Sequence, residues 1–311
     1  MIGGKKKCIG LIFGGHSNEH EVSISSAKTV FQAFNAQINK ERFTVKAFYI
    51  NKYGDWLDSD ISEKILIGEI ENYKTKKQET FNQEKINFLD GIEFQNIDVW
   101  FPLLHGFNGE DGSIHGLIRF TKKPLVGCGI IGSALGMDKI LMKTIFSNLK
   151  LPQVNYLVFQ NEDLNDKQVK NKIDPRILIE EGLEVREIEC GIIGNSKLLT
   201  SEIGEVNYES DWYDYDSKYH SNNKIIIPAE IDSKITKEIK EIAIKSCRAL
   251  NIFGFARVDF FLEKSSNKIL LNEINTIPGF TKNSMFPMLW EASGLKIEQL
   301  VAKLVDISLD L

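Results

Sequence analysis

Three apolar runs within the first 128 residues each stop at glycine: Lys7 to Phe13 before Gly14-Gly15, Asp98 to Leu104 before His105-Gly106, and Lys123 to Val126 before Gly127. A run that is apolar at consecutive positions has no polar face to give to water, so it suits a strand covered on both sides, as in a parallel sheet. Between the first run and the strand FTVKAFYI lies SISSAKTVFQAF, spaced as an amphipathic helix, which completes a strand–helix–strand unit. The N-terminal third is expected to be an open α/β domain. Residues 61 to 96 are charged and weakly periodic, and read as a variable excursion without visible chemistry.

Further along, Met137-Asp138 starts a helix with Leu141, Ile145 and Leu149 four apart, ended by Leu151-Pro152. NYLVF, RILIEE and REIECGIIG read as strands, and from Thr236 the spacing of Ile239, Ile242, Ala243, Cys247 and Leu250 is helical. A chain of 311 residues is long enough for two or three packed units. Its net charge of -5 leaves no broad basic face for nucleic acid, and Lys5-Lys6-Lys7 is too short to supply one. The run CIGLIF is too short for a membrane span or a secretory core, so a cytoplasmic protein is expected. Cys8, Cys128, Cys190 and Cys247 lack CxxC spacing, which suits buried core thiols better than a zinc site or a disulfide framework.

Near the C-terminus, GFARVDFFLEK and NKILLNEINT are rich in β-branched and aromatic residues and are separated by Lys264-Ser265-Ser266-Asn267. The simplest reading is an antiparallel hairpin. Such a hairpin sets Asp259 opposite Glu273 and Arg257 opposite Asn275 on one face, leaving Phe260, Leu271 and Ile274 for the other. Two carboxylates and an amide oxygen on one face suit a hard cation such as Mg²⁺, which shares its ligands with phosphates. A solvated face with an Arg–Asp ion pair reads the same pattern equally well. Directly after it, Pro278-Gly279 fixes a tight turn whose glycine lets backbone N–H groups approach a ligand, and Ser284 opens an apolar stretch as a candidate helix start.

Two glycine-rich joints follow N-terminal strands, Gly14 to Glu21 and His105 to Gly112, and belong on the same sheet edge, where open α/β sheets bind ligands. Glu21 could hold an ammonium group there, although Asn18 and Glu21 also have the form of a capping box. His105 reads equally as a core histidine. Glu180 and Glu187 suit the ribose hydroxyls of a nucleotide or a salt-bridged surface strand. The aromatic, charged segment Asp211 to Tyr219 reads as a lid or an anchored surface loop.

Taken in order, GGHSNEHEVSISSA, FPLLHGFNGEDGSIHGL, PLVGCGIIGSALGMDK, DWYDYDSKY, GFARVDFF and NEINTIPGFTKNS resemble the D-alanine:D-alanine ligases of the ATP-grasp superfamily over nearly the whole chain. The resemblance implies an enzyme that phosphorylates the carboxylate of one D-alanine with ATP and lets the amine of a second attack the acyl phosphate, making a dipeptide for peptidoglycan. It implies that Glu21 binds the first D-alanine's ammonium, His105 lies by its carboxylate, and Lys218 and Tyr219 belong to a lid. Lys139 would contact ATP phosphates, and Glu180 and Glu187 the nucleotide. Asp259, Glu273 and Asn275 would hold two Mg²⁺ or Mn²⁺ ions. Arg257 and the Gly279 N–H would stabilise the transferred phosphoryl group and the oxyanion, and Ser284 would hold the second substrate's carboxylate. A homodimer is implied in the same way.

One stretch departs from that family. Leu151 to Glu181 contains no glycine and no serine, whereas the family has there a lysine-bearing strand, a Gly/Ser-rich loop over the phosphates and a further helix. The expected architecture is therefore an N-terminal parallel-sheet domain (1–128), a truncated small ATP-grasp subdomain (129–205) and a C-terminal catalytic domain (206–311). Two functional readings follow: a working ligase, or a homologue that binds D-alanine or nucleotide with little turnover.

Overall fold

The computed structural model describes residues 5–70, 96–160, 175–207 and 224–310. Lys218 and Tyr219 lie outside them. The N-terminal sheet is parallel, as its unbroken apolar runs require: β1 (Lys7–Gly14) lies between β2 (Phe43–Ile50) and β3 (Val99–Pro102). Helix α1 (His20–Asn35) crosses from β1 to β2, and α2 (Ser59–Ile67) follows β2. The third glycine-terminated run does not form a strand. It meets β3 through one bridge, Trp100 with Leu125, and two flanking backbone bonds. Gly14 has φ of +92° and a Cβ there would lie 2.1 Å from the Ile50 carbonyl, so the first joint needs glycine.

Helix α1 begins at His20 with Glu19 as its N-cap, so the expected Asn18–Glu21 capping box does not start it. Beyond α3 (Ser113–Arg119) and α4 (Ile130–Met137), α5 (Lys139–Asn148) is capped by the Asp138 carboxylate, which accepts from the Leu141 N–H at 3.0 Å. Its buried face is Met142, Lys143 and Phe146, while Leu141 and Leu149 are exposed. The four-residue spacing marks a helix, but of its three residues only Ile145 packs against the core.

Strands β4 (Tyr156–Gln160) and β5 (Arg176–Glu180) form a two-stranded antiparallel sheet. A five-stranded antiparallel sheet has the order β10-β9-β6-β7-β8, from β6 (Val185–Gly194), β7 (Leu198–Asn207), β8 (Lys224–Ile226), β9 (Gly254–Glu263) and β10 (Ile269–Asn275). Strands β6 and β7 thus share a sheet with the C-terminal hairpin. Helix α2 takes up the beginning of the stretch 61–96 that reads as a variable excursion, and it buries Ile65 and Leu66; strand β7 and the last helix carry no motif. Helix α6 (Ser233–Ala249) buries Ile239, Ile242, Ala243 and Cys247 under this sheet, as their spacing predicts. Helices α7 (Met285–Ala292) and α8 (Ile297–Leu309) end the fold.

One core joins the two large sheets. It contains Ile9, Leu11, Val30 and Phe34 from the N-terminal unit together with Phe255, Phe280, Phe286, Leu300, Val301 and Leu304. Phe101, Phe255 and Phe280 pack edge to face, with centroids 5.8 to 6.4 Å apart. Cys128, Cys190 and Cys247 are buried free thiols, as expected, and Cys8 is half-buried. No helix among the described residues is long and apolar enough to cross a membrane.

Buried His115 in α3 has neither ring nitrogen hydrogen-bonded among the described residues. Burial lowers its pKa from the ordinary histidine value to about 4, with Asp111 opposing. The unfolded chain takes up this proton at its ordinary, higher value, so acidification between the two values favours unfolding. We expect about 3 kcal/mol of stability to be lost across that window, and His115→Gln to remove most of that slope. Urea unfolding of both proteins near neutrality and near pH 4.5 checks this; equal slopes would refute it.

Candidate active site

The hairpin forms in the expected register. Glu273 pairs with Asp259 and Asn275 with Arg257, and Asn267 closes the turn in the left-handed region that asparagine tolerates. The ladder shifts between Leu271 and Glu273. That bulge lets Leu271 and Ile274, three apart, both reach the core beside Phe260.

Next to the hairpin stands a residue the sequence reading passed over. Glu189 of β6 lies directly opposite Asp259, so Glu189, Asp259 and Glu273 form a row across three strands. Like charges so placed repel unless a cation intervenes. Arg257 does so: its Nε and a terminal nitrogen each reach an Asp259 oxygen at 2.7 Å, and Nε is 2.9 Å from Glu189. Burial works to lower the Arg257 pKa, but Asp259 and then Glu189 outweigh it, holding the guanidinium charged well above its ordinary value. The row was hidden because Glu189 and Asp259 are 70 residues apart, and only the β6–β9 pairing joins them.

Lys139, at the start of α5, lies 3.2 Å from Glu180 and 3.5 Å from Glu273. The structure thereby brings two predicted nucleotide residues to the hairpin. Glu187 stands on β6 opposite Phe261, one position beyond the row on the same face. The two glycine-rich joints also meet, as the Ser17 hydroxyl donates to the His105 carbonyl at 2.6 Å. His105 is buried, and its Nδ1–H donates to the Ile277 carbonyl at 2.9 Å. Its Nε2 lies 3.1 Å from the Ser26 hydroxyl, which accepts from the Phe280 N–H at 3.1 Å. His105 is thus both a core histidine and the link between the second joint and the Pro278-Gly279 turn.

Ser284 is the N-cap residue of α7, and its Oγ lies 2.7 Å from the Thr281 hydroxyl and accepts from the Thr281 N–H at 3.0 Å. A Cβ on Gly279 would come within 2.9 Å of that oxygen, so glycine keeps the turn close to the helix start. Glu21 lies in the first turn of α1, largely exposed, with Lys52 at 3.3 Å.

Donor chemistry suits a divalent cation, but among the described residues no three His, Cys, Asp or Glu side chains are gathered closely enough to hold one. Asp259, Glu273 and Asn275 supply only oxygen ligands, and the four acids Glu180, Glu189, Asp259 and Glu273 face three bases, Lys139, Lys143 and Arg257, leaving one negative charge in excess. As they stand, the ligand atoms are occupied within the protein. Arg257 takes Asp259, Lys139 approaches Glu273, and the Asn275 Oδ1 accepts from the Ile277 N–H at 3.0 Å.

Comparison with known proteins follows this geometry. Residues 8–128 match the family described as D-ala D-ala ligase N-terminus, and residues 160–306 match D-ala D-ala ligase C-terminus. A D-alanine–D-alanine ligase of Prochlorococcus marinus (strain MIT 9301) is 85% identical over 355 residues, covering 100% of both chains. Among solved structures, the VanG D-Ala:D-Ser ligase from Enterococcus faecalis has a TM-score of 0.78 at 29% identity, covering 98% of this chain and 100% of its own. The D-alanine–D-alanine ligase from Coxiella burnetii has a TM-score of 0.78 at 28% identity, covering 99% and 95%. The chain belongs to the D-alanine–D-alanine ligase family of the ATP-grasp superfamily. Its alignment with the Prochlorococcus relative spans 355 positions against 311 residues here, a difference of 44. That difference shows that this chain is shorter than its relative.

Removing the charge that holds the acidic row together has a defined cost. Arg257→Met leaves Glu189 and Asp259 buried and opposed, and is expected to destabilise the fold by about 3 to 5 kcal/mol. Adding Glu189→Gln should recover part of that loss. Urea midpoints of the single and double variants test the pair, and additive effects would show that Arg257 does not bridge them.

Proposed function

We propose that this chain joins two D-alanine molecules with ATP, through an acyl phosphate, to give D-alanyl-D-alanine for peptidoglycan synthesis. The observation that carries the reading is the row Glu189, Asp259 and Glu273 around Arg257, with Lys139 at its edge and the Gly279–Ser284 turn beyond it. Phosphoryl transfer requires mainly positioning and charge neutralisation, and a fixed arginine beside oxygen ligands provides both.

In this reading Glu21 exchanges its exposed Lys52 partner for the ammonium of the first D-alanine. His105 keeps the neighbouring turn at a set distance from that site. Asp259, Glu273 and Asn275 hold Mg²⁺ or Mn²⁺, two ions in the full assignment, and the metal neutralises phosphate oxygens when bound. Lys139 moves from its carboxylates to the phosphates, while Glu180 and Glu187 take the nucleoside end. The first carboxylate attacks the γ-phosphorus and ADP leaves. The second amine then attacks the acyl carbon and phosphate leaves. Arg257 and the Gly279 N–H face the negative charge that develops in both steps, where preorganised donors act most strongly. Ser284 holds the second carboxylate, and Lys218 and Tyr219 belong to the cover. An N-terminal unit of residues 1–128, a cytoplasmic location and a homodimer complete the proposal; the expected boundary between 129–205 and 206–311 is not kept, because it would cut through β7 (Leu198–Asn207) and part β6 from its partner β9 in one sheet.

The test is D-alanine-dependent ADP release with Mg²⁺, run beside calorimetry with each substrate. Release is expected, and Asp259→Asn should lower it by about a hundredfold or more. Binding of both substrates with no release would instead support the second reading, a homologue that binds with little turnover; the 44-position difference from the relative motivates that arm. Failure to bind either substrate would overturn both.

A further inference from the structure

Helix α5 carries two lysines one turn apart in opposite circumstances. Lys139 is one-third exposed and reaches two carboxylates, Glu180 and Glu273. Lys143 has no exposed surface, and its Nζ lies 2.7 Å from the other Glu180 oxygen. The contact is an ion pair by distance, and neither atom has a partner in hydrogen-bond geometry among the described residues. The ammonium also sits 5.3 Å from the centroid of the Tyr156 ring, across β4 from Glu180. A lysine is seldom buried so completely without a partner, because an unpaired charge in such a place costs several kcal/mol or drives the group to neutrality.

Glu180 is therefore held at both oxygens, Oε1 by Lys143 and Oε2 by Lys139. Burial pushes its carboxyl up, but the two lysines together outweigh it and the pKa lies below its ordinary value. No other described cation is placed to substitute. Arg176, on the same face of β5, is taken by Asp138 at 2.9 Å, and the neighbouring Glu181 is bound by Asn155 at 2.8 Å.

The two contacts differ in what they can exchange. Lys139 can leave for solvent or for a phosphate, since Lys143 keeps Glu180 neutralised. Lys143 has nowhere else to go. We infer that Lys143 is a positioning residue of the nucleotide site, a permanent buried counter-ion that keeps the Glu180 carboxylate ionised and in place while Lys139 exchanges between protein and nucleotide. The inference rests on the proposed reading that Glu180 and Lys139 meet the nucleotide, and it adds a residue that touches no substrate itself.

The experiment measures dissociation constants by calorimetry on the full chain, for a non-hydrolysable ATP analogue with Mg²⁺ and, separately, for D-alanine. Lys143→Met should weaken the ATP analogue by about tenfold or more while D-alanine binding stays within about twofold, because only the Glu180 contact is lost. A purely structural lysine would weaken both ligands together. Should Lys143→Met fail to fold, Glu180→Gln is compared with the Glu180→Gln/Lys143→Met double variant. The double variant should be the more stable, having no unpaired buried charge, and its nucleotide affinity should match the single variant within about twofold. Unchanged nucleotide binding by Lys143→Met, parallel loss of both ligands, or a further drop in the double variant would overturn the assignment to Lys143 alone. If the unaltered chain itself does not bind the analogue, the nucleotide reading falls and this inference with it.

Discussion

Arg257 is the charge on which the C-terminal sheet depends. Strands β6, β9 and β10 could not align Glu189, Asp259 and Glu273 in one row without a cation among them, and Arg257 meets two of the three from the adjacent row. A guanidinium suits this place because it stays protonated and its planar fork matches a carboxylate at two points. The same contacts restrict its motion, so the charge is fixed in place before any ligand arrives. Under the proposed function, stability and chemistry would draw on one side chain.

A second set of contacts sets the distance between the glycine-rich joints and the hairpin. Ser26 on α1, His105 after β3, and Ile277 and Phe280 beyond β10 are linked through hydrogen bonds of 2.9 to 3.1 Å, all among buried groups. Three segments far apart in sequence are therefore tied to one another. On the other side, α5 ties β5 to β10 through Lys139. The hairpin lies between these two linkages, and its position follows from both.

Much of this was readable from the residues. The hairpin register, the parallel N-terminal strands and the buried stripe of α6 all come from local periodicity, which pleat and helix geometry translate directly into faces. What local pattern could not show was what faces what. Glu189 gained its meaning only from pairing with β9, and Lys143 sat in a helix whose four-residue spacing favoured the exposed Leu141 and Leu149. The bulge before Glu273 was likewise invisible: strict alternation puts Leu271 on the face of Glu273, and the expected grouping of Leu271 with Phe260 and Ile274 holds only because the ladder shifts between them. The run Lys123 to Val126 is apolar enough for a strand, yet its glycine at 127, with φ of +129°, turns the chain away after one bridge. The family motifs carried the site, and tertiary pairing supplied the charges that balance it.

Helix α8 contributes Leu300, Val301, Leu304 and Val305 to the core under the first sheet, and the Asn39 side chain bonds the Glu298 carbonyl 259 residues later. During synthesis the opening β1–α1–β2 unit emerges long before those residues exist. Its apolar underside stays uncovered until α8 has been made, so this half of the molecule cannot mature ahead of the other. Order of manufacture and order of completion are reversed: strands made early are finished by a helix made much later.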